Sequence, residues 1–188
     1  KEYSEMIPVF FGIQFSTIRS LDHKYEKSIK AEPYFMLDLP IPDKPSPSLL
    51  ECIDLYIEDE KMCGENAWYN DKTKQKEDVL KTLQFWSLPS ILIIDLKRFN
   101  KINFRKNNCY VDIPLSPIDL SKYVIGYQKE SYVYELYGIC NHSGNVMGGH
   151  YTANIKTNNG WYHFNDRNVT KIADESKIIS PMAYCLFF

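Results

Sequence analysis

The sequence predicts an α+β domain that is built mainly from antiparallel strands. Aromatic residues are frequent, with 14 tyrosines and 10 phenylalanines among 188 residues, and aromatic side chains favour strands over helices. Short runs of β-branched and aromatic residues alternate with turn residues such as Gly, Pro and Asn, which is typical of strands. The clearest helical spacing of apolar residues follows Ser48, so helices are expected to be few.

The first half of the chain contains the predicted helix and three predicted strands. Residues 6–18 are predicted as one long strand, residues 34–39 as a second and residues 79–86 as a third. Ser48 is the predicted N-cap of a helix that runs to about residue 59. Its apolar stripe consists of Leu49, Leu50, Ile53 and Ile57, and residues 61–75 after it are polar and rich in turn residues.

The second half is predicted to be richer in strands. Residues 91–99, with the sequence Ile-Leu-Ile-Ile-Asp-Leu-Lys-Arg-Phe, form the most hydrophobic run and predict a central buried strand. Residues 100–108 are predicted as a basic turn, and residues 114–127 as irregular. Further strands are predicted over 110–113, 132–140, 151–157, 161–164 and 183–188.

Composition and charge exclude several classes of partner. Hydrophobic content is 44% and charged content 24%, both ordinary for a globular protein. The net charge of −2 gives no basic footprint for nucleic acid or for an anionic membrane surface. The sequence shows no signal peptide and no long apolar run. We therefore expect neither a nucleic acid nor a membrane as partner.

The cysteines predict a reducing environment. The chain has five cysteines, an odd number, and no two have CxxC spacing. A disulfide framework is therefore not expected, and a cytoplasmic or other reducing intracellular compartment is. Because the chain begins at Lys1 without an initiator Met, we expect it to be part of a longer polypeptide.

Two neighbouring segments carry the candidate chemistry. Gly148-Gly149-His150-Tyr151-Thr152-Ala153 is followed by Trp161-Tyr162-His163-Phe164-Asn165-Asp166. If these segments pair as a hairpin, Asn165 or Asp166 comes close to His150. A histidine that is oriented by such a partner is part of a nucleophile-activating triad. The simpler alternative is a hairpin with a Gly-Gly turn and an incidental histidine.

The glycine-rich stretch before His150 is predicted to be a loop. Residues 141–149, Asn-His-Ser-Gly-Asn-Val-Met-Gly-Gly, are not expected to continue a strand. Glycines accept positive φ and let another backbone approach closely. A loop of this kind beside a catalytic histidine suits a thin, extended substrate.

Five ordered segments resemble the ubiquitin-specific proteases, which are cysteine deubiquitinases. The segments are Leu88-Pro89 with residues 91–99, Tyr134-Glu135-Leu136-Tyr137-Gly138-Ile139-Cys140-Asn141-His142-Ser143-Gly144, the two segments around His150 and Asn165, and Ala183-Tyr184-Cys185-Leu186-Phe187-Phe188. They occur in the family's order over most of the chain.

The resemblance implies a hand-like, papain-like fold with a thumb, a palm and fingers. Residues 1–188 would be the fingers, roughly 8–90, and the palm, roughly 90–188, and the helical thumb would be absent from this chain. The implied partners are ubiquitin and ubiquitinated proteins. In this family the fingers and palm hold ubiquitin while its C-terminal tail threads to the active site.

The resemblance also assigns roles to individual residues. His150 is similar to the family's general base, Asn165 to the residue that orients it, and Asp166 to a second acid that assists in some members. Gly148 and Gly149 would line the tail channel, because a Cβ there would narrow the channel or strain the turn. Tyr151 and Phe99 would supply the aromatic wall, although core packing is the alternative role for both.

The family's nucleophile lies in a Gly-Asn-Thr-Cys-Tyr segment that this chain lacks. The resemblance thus implies a deubiquitinase that hydrolyses peptide and isopeptide bonds at the last glycine of ubiquitin, with its cysteine outside this chain. The missing thumb segment, which would carry this cysteine, is then an expected partner, and the chain alone is expected to be inactive. The alternative is an inactive ubiquitin-binding pseudoenzyme or scaffold. A papain-like protease of another specificity is disfavoured by the ordered motifs.

No cofactor is expected. Fingers of this family often hold a zinc ion with two CxxC pairs, and the corresponding positions here are Ser20 with His23 and Asn70 with Thr73. Only His23 is a plausible ligand, and Cys63 lies seven residues before the matching position. The sequence therefore predicts that the finger zinc has been lost.

Overall fold

The computed structural model describes residues 4–100, 104–127 and 132–188. Within these ranges most strands lie in two sheets, and nearly all neighbouring strands are antiparallel. The predicted α+β class with mainly antiparallel strands is confirmed. Residues 101–103 of the predicted basic turn lie outside the described residues. None of the helices in the described ranges has the length and apolar character that a membrane span requires.

The helices and strands follow one another in chain order. The α-helices are α1 (Met6–Phe10) and α2 (Leu49–Ile57). The strands are β1 (Gly12–Ser20), β2 (Glu26–Tyr34), β3 (Leu37–Leu39), β4 (Glu60–Met62), β5 (Trp68–Asn70), β6 (Gln75–Glu77), β7 (Val79–Ser87), β8 (Ile93–Leu96), β9 (Phe99–Asn100), β10 (Arg105–Lys106), β11 (Ile118–Asp119), β12 (Val133–Tyr134), β13 (Gly138–Asn145), β14 (Gly148–Thr157), β15 (Gly160–Asn165), β16 (Asn168–Lys171) and β17 (Ala183–Phe187).

A four-stranded sheet, the finger sheet, has the order β2-β1-β7-β4. The long strand β1 forms a hairpin with β2 and also pairs with β7. The separate β5–β6 hairpin directly precedes β7. The finger sheet and this hairpin come from the part of the chain that the resemblance assigns to the fingers.

A seven-stranded sheet, the palm sheet, has the order β16-β15-β14-β13-β17-β8-β3. Strand β3 is parallel to β8, and all other neighbours are antiparallel. Because β3 comes from residues 37–39, the palm sheet includes a piece of the first half of the chain. The centre of its core consists of four side chains that pair across four adjacent strands and are each at most 1% exposed. They are Leu37, Ile94, Leu186 and Ile139. Burying each such side chain contributes about 1.5–3 kcal/mol.

Helix α2 joins the two sheets, since it contacts both β3 and β7. It begins as predicted. The hydroxyl of Ser48 accepts a hydrogen bond from the backbone N–H of Glu51, and the Glu51 carboxylate accepts one from the backbone N–H of Ser48. This reciprocal capping box satisfies two N–H groups that a helix start leaves without partners. Leu49 and Ile53 of the predicted stripe are buried in the core.

The predicted long strand over residues 6–18 is wrong in its first half, where α1 forms. Pro8 does not prevent this helix, because it lies in the first turn, where a helical N–H has no acceptor. The backbone N–H of Ile7 donates to Ser4 O at 3.1 Å, and that of Phe11 to Ile7 O at 2.9 Å. The strand then begins only at Gly12.

Other differences concern strands with little apolar patterning. The strands that were not expected include β2, β5, β6 and β16, and β5 lies within the region predicted as turns. Pairing with a neighbouring strand, rather than their own polar sequences, determines these strands. The predicted strand over 110–113 is wrong. Asp112 forms only an isolated bridge with Ser48, and its backbone bonds go to Pro47 and Leu49 at the start of α2.

Candidate active site

The glycine-rich segment before His150 is a strand hairpin and not a loop. Strand β13 continues to Asn145, β14 begins at Gly148, and these two residues pair across the turn. The prediction that residues 141–149 cannot continue a strand is therefore wrong. The reason lies at Gly144, whose φ of +124° is a conformation that a glycine adopts without the strain that a side chain would add.

The hairpin of β14 and β15 places His150 against Asn165. Strands β14 and β15 pair from Ala153 opposite Phe164. Because side chains alternate between the two faces of a strand, His150 and Asn165 project from the same face. The Nε2 atom of His150 lies 2.7 Å from Oδ1 of Asn165. The predicted contact between the two side chains is confirmed.

The hydrogen bond to Asn165 selects one tautomer of His150. An amide oxygen only accepts hydrogen bonds, so the neutral ring that makes this bond carries its proton on Nε2. The lone pair on Nδ1 is then available to take a proton. The His150 side chain is 49% exposed, so another group can reach Nδ1.

Asp166 lies beside the same ring. Its Oδ2 atom is 4.0 Å from Nε2 of His150, and its side chain is 77% exposed. Asp166 and Arg167 close the tight turn between β15 and β16, in which Asn165 pairs with Asn168. Asp166 has a φ of 52°, a conformation that Asp tolerates better than most residues. The turn holds Asn165 in place and leaves the Asp166 carboxylate exposed beside the His150 ring.

A second histidine–asparagine pair lies on the same two strands. Asn154 on β14 faces His163 on β15, and His163 Nδ1 lies 2.7 Å from Asn154 Oδ1. The amide nitrogen of Asn154 donates to the backbone oxygen of Ile178 at 2.8 Å, and Asn154 is only 4% exposed. This pair connects the sheet to the segment around Ile178, so its role is structural.

Four aromatic rings form a cluster on the other face of β14. Tyr151 projects to this side because it follows His150 directly. Its ring centre lies 4.7 Å from that of His142 and 6.4 Å from that of Tyr184. Phe99 packs against the same two rings, at 5.4 Å from His142 and 5.7 Å from Tyr184. The aromatic cluster therefore consists of Phe99, His142, Tyr151 and Tyr184.

Sequence reasoning identified Phe99 and Tyr151 but missed His142 and Tyr184. Both missed residues stand inside the motifs that carry the family resemblance. His142 lies on β13, which pairs with β14, and Tyr184 lies on β17, which pairs with β13. The available signal was strand alternation. It places His142, which pairs with Tyr151, on the face of Tyr151.

His142 is held as a neutral ring inside the cluster. It is 3% exposed, and its Nδ1 atom has no hydrogen-bond partner among the described residues. Burial, and then the nearby ammonium group of Lys106, lower the pKa of His142 below its usual value. The same ammonium group donates a hydrogen bond to the backbone oxygen of His142.

The two glycines before His150 have different surroundings. A Cβ on Gly149 would lie 2.2 Å from the backbone oxygen of Ser143 and 2.3 Å from Nε2 of His142. A Cβ on Gly148 would meet no heavy atom of the described residues within 4 Å. Neither glycine has a positive φ, so the backbone conformation itself does not require glycine at either position. Gly149 is needed for packing, whereas the space above Gly148 is open.

Comparison with known proteins identifies the family. The model of a family described as "Ubiquitin carboxyl-terminal hydrolase" matches residues 1–188. This chain belongs to the ubiquitin carboxyl-terminal hydrolase family. The resemblance that the five sequence motifs indicate is thereby confirmed.

Relatives and solved structures of the ubiquitin carboxyl-terminal hydrolase family agree with this result. Ubiquitin carboxyl-terminal hydrolase 9 of Arabidopsis thaliana is 40% identical over 145 residues, covering 75% of this chain and 16% of that protein. Ubiquitin carboxyl-terminal hydrolase 15 of Homo sapiens is 36% identical over 151 residues, covering 78% and 15%. The SAGA DUB module of Ubp8, Sgf11, Sus1 and Sgf73 bound to monoubiquitin contains a chain with a TM-score of 0.77 and 30% identity, covering 96% of this chain and 40% of that one.

These coverages show that the chain spans about one sixth of the length of the curated relatives it matches. The hydrolase fold is shared over nearly the whole of this chain.

None of the five cysteines of this family member faces His150. Cys140 pairs with Ala153, three residues along β14 from His150, so it projects from the opposite face. Cys185 pairs with Cys140 and shares that face. Burial raises the pKa of Cys185 to about 12 and that of Cys52, inside α2, to about 11. Such thiols are protonated and are poor nucleophiles.

The two remaining cysteines lie elsewhere. Cys109 Sγ contacts the backbone oxygens of Lys44 and Pro45 at 3.3 Å, near the start of α2. Cys63 lies next to β4 of the finger sheet. The site thus has a histidine and its orienting partner, but no cysteine of this chain beside them.

Proposed function

We propose that this chain is the fingers and palm of a deubiquitinase, an enzyme that hydrolyses peptide and isopeptide bonds at the last glycine of ubiquitin. One observation carries the proposal: His150 Nε2 lies 2.7 Å from Asn165 Oδ1 at an exposed end of the palm sheet, in a chain of the ubiquitin carboxyl-terminal hydrolase family. Binding of ubiquitin alone requires neither a histidine with a free Nδ1 nor an amide that orients it.

The proposed chemistry uses His150 as general base. Nδ1 takes the proton from a cysteine thiol that a segment outside this chain supplies, and the thiolate attacks the carbonyl carbon of ubiquitin's last glycine. The amine of the substrate leaves with a proton from His150, and ubiquitin remains attached as a thioester. Water, deprotonated by Nδ1, then releases the ubiquitin carboxylate and the thiol. Asn165 keeps the ring oriented, and the Asp166 carboxylate stabilises the protonated ring.

The proposed substrate path runs over the glycine end of the β13–β14 hairpin. An extended tail there would contact Tyr151, which is 55% exposed, on one face and reach His150 at the edge. The open space above Gly148 leaves room for a backbone. A structure of a family relative bound to monoubiquitin supports ubiquitin as the ligand.

The alternative function is an inactive ubiquitin-binding scaffold. The position of the cysteines favours it, because none of the five lies beside His150 and burial raises the pKa of three of them. The two functions share the ubiquitin surface and differ only in whether a nucleophile reaches Nδ1 of His150.

Ubiquitin that carries a C-terminal electrophile separates these functions. The chain of 188 residues is expected to bind ubiquitin without forming a covalent adduct, as measured by calorimetry and by intact mass. A longer polypeptide of the same protein is expected to form one adduct, and His150→Ala is expected to abolish it. His163→Ala is the matched control, since His163 lies on the adjacent strand but bonds to Asn154.

The outcomes are distinct. A longer protein that binds ubiquitin but forms no adduct would favour the scaffold. An adduct on the 188-residue chain that disappears in His150→Ala would place the nucleophile inside this chain, with Cys109 and Cys140 the first to test. Failure of both polypeptides to bind ubiquitin would contradict the proposed function.

A further inference from the structure

Two hairpins of the fingers are connected through one carboxylate. The first is the β1–β2 hairpin of the finger sheet, and the second is the β5–β6 hairpin. Lys27 on β2 and Glu77 at the end of β6 form an ion pair between the Lys27 ammonium group and Oε2 of Glu77. Their side chains are only 28% and 21% exposed, so the pair is partly shielded from solvent.

The other oxygen of Glu77 holds the tip of its own hairpin. Oε1 accepts a hydrogen bond from the side-chain amide of Asn70 at 2.7 Å and another from the hydroxyl of Thr73 at 2.8 Å. Glu77 thus accepts from three donors, two in the β5–β6 hairpin and one in the β1–β2 hairpin. Charge-assisted hydrogen bonds of this kind are stronger than those between neutral groups.

At three of the four positions where the family resemblance would place zinc ligands, the side chains of Ser20, Asn70 and Thr73 donate hydrogen bonds to carboxylates of this chain. Asn70 donates to Glu77, and its Oδ1 accepts from the backbone N–H of Lys72 at 2.9 Å. Ser20 donates to Asp22 at 2.6 Å. Amide and hydroxyl groups are poor substitutes for the thiolates and imidazoles that zinc prefers. Among the described residues no group of three or more His, Cys, Asp or Glu side chains is arranged to hold a metal ion, so these residues do not fit a zinc centre.

We propose that Glu77 fixes the β5–β6 hairpin against the β1–β2 hairpin, and that this carboxylate does here what a bound metal ion would do. Asn70 and Thr73, which stand at two of the four ligand positions, are then donors to the Glu77 carboxylate. The proposal predicts that the relative position of the two hairpins depends on the charge of residue 77 and is indifferent to chelators.

Hydrogen exchange of the 188-residue chain tests this proposal. Glu77→Gln keeps the side-chain shape but removes the charge, and Lys27→Met removes the partner. Each variant is expected to raise amide exchange in residues 68–77 about 10-fold or more while residues 138–157 of the palm sheet keep their wild-type rates. Because the two residues act through each other, the double variant is expected to exchange no faster than the more affected single variant.

The matched control is Glu26→Gln. It removes the same charge from an ion pair with Arg19, at 3.2 Å, that lies within the β1–β2 hairpin alone. It is expected to leave exchange in residues 68–77 unchanged, and so is treatment of the wild type with a zinc chelator. Wild-type exchange rates in Glu77→Gln would overturn the proposal. So would stoichiometric zinc in the purified chain together with faster exchange of residues 68–77 after chelation.

Discussion

Nε2 of His150 and Oδ1 of Asn165 lie 2.7 Å apart, and this contact determines which ring nitrogen is available for chemistry. If Nδ1 made the contact, Nε2 would be the nitrogen left for proton transfer. With Nε2 bound, Nδ1 is the nitrogen that can take a proton, and the His150 side chain is 49% exposed. The orienting residue therefore selects both the tautomer and the ring nitrogen that takes the proton.

Replacing Asn165 tests whether this residue orients the His150 ring for proton transfer. In a longer polypeptide that carries the nucleophile, Asn165→Ala is expected to lower kcat about 100-fold with little change in KM, because only proton transfer is affected. Asn165→Asp is expected to retain much of the activity and to move the acid limb of the pH–rate profile to higher pH, since a carboxylate favours the protonated ring and raises the histidine pKa. A profile that does not move in Asn165→Asp would contradict the assignment.

Gly148 and Gly149 are expected to respond differently to the same substitution. Gly149→Ala forces its Cβ against Ser143 O and the His142 ring, so it is expected to lower the free energy of unfolding by about 1–3 kcal/mol. Gly148→Ala is expected to leave it unchanged, because its Cβ enters open space. Thermal unfolding of the two variants measures this difference.

A different variant, Gly148→Val, examines the tail channel. It is expected to fold like the wild type and to weaken ubiquitin binding at least about 10-fold, because a branched side chain occupies the space proposed for the tail. Wild-type affinity in a correctly folded Gly148→Val variant would show that the tail does not pass over this residue.

Much of the palm sheet was predictable, because its strands have strong patterns of their own. The run of residues 91–99, the helix after Ser48 and the strands around His150 and residues 161–164 were identified from apolar and aromatic content. The strands of the finger sheet were harder to predict from the sequence. Strand β2 is mostly exposed and is a strand because β1 pairs with it, a tertiary effect that local sequence does not encode.

The part of the candidate site that was predictable from the sequence is the part that strand pairing alone determines. His150 and Asn165 meet as soon as β14 and β15 form a hairpin with the observed pairing. The burial of His142 was not predictable, since it depends on Phe99, Tyr184 and Lys106, which come from distant parts of the chain. Nor could the sequence show that Gly149 is constrained by the His142 ring and Gly148 is not.

Asp95 is expected to make stability depend on pH. It lies in the palm sheet, opposite Asp38 on one side and Cys185 on the other. Burial, and then the Asp38 carboxylate, raise its pKa from 3.8 to about 6. Between these two values the folded protein binds more protons than the unfolded chain, so stability falls as pH rises through this window.

Asp95→Asn removes this dependence. The variant is expected to be more stable than the wild type by about 1–2 kcal/mol at pH 7.5, where the half-buried carboxylate is charged. The gain is expected to shrink as pH falls from 6 towards 4, because the wild-type carboxyl group then becomes neutral. Denaturant unfolding at pH 4.5 and pH 7.5 measures both values, and an equal gain at the two pH values would contradict the assigned cause.

A variant at Tyr151 distinguishes a substrate-contacting role of this residue from a role in core packing. Its side chain packs against His142, yet the residue is 55% exposed, so a large part of the ring is available to a ligand. Tyr151→Ala is expected to raise KM for a ubiquitin substrate at least about 10-fold and to lower kcat less, because a contact made equally in the ground and transition states affects binding and not the chemical step.

Ile155→Ala is the matched control: Ile155 projects from the same face of β14, is 37% exposed and lies far from His150 along the strand. If both variants raise KM equally, the loss is one of general sheet packing. If Tyr151→Ala instead lowers kcat while KM stays constant, Tyr151 acts through the position of His150, and the aromatic cluster is not the wall of a tail channel.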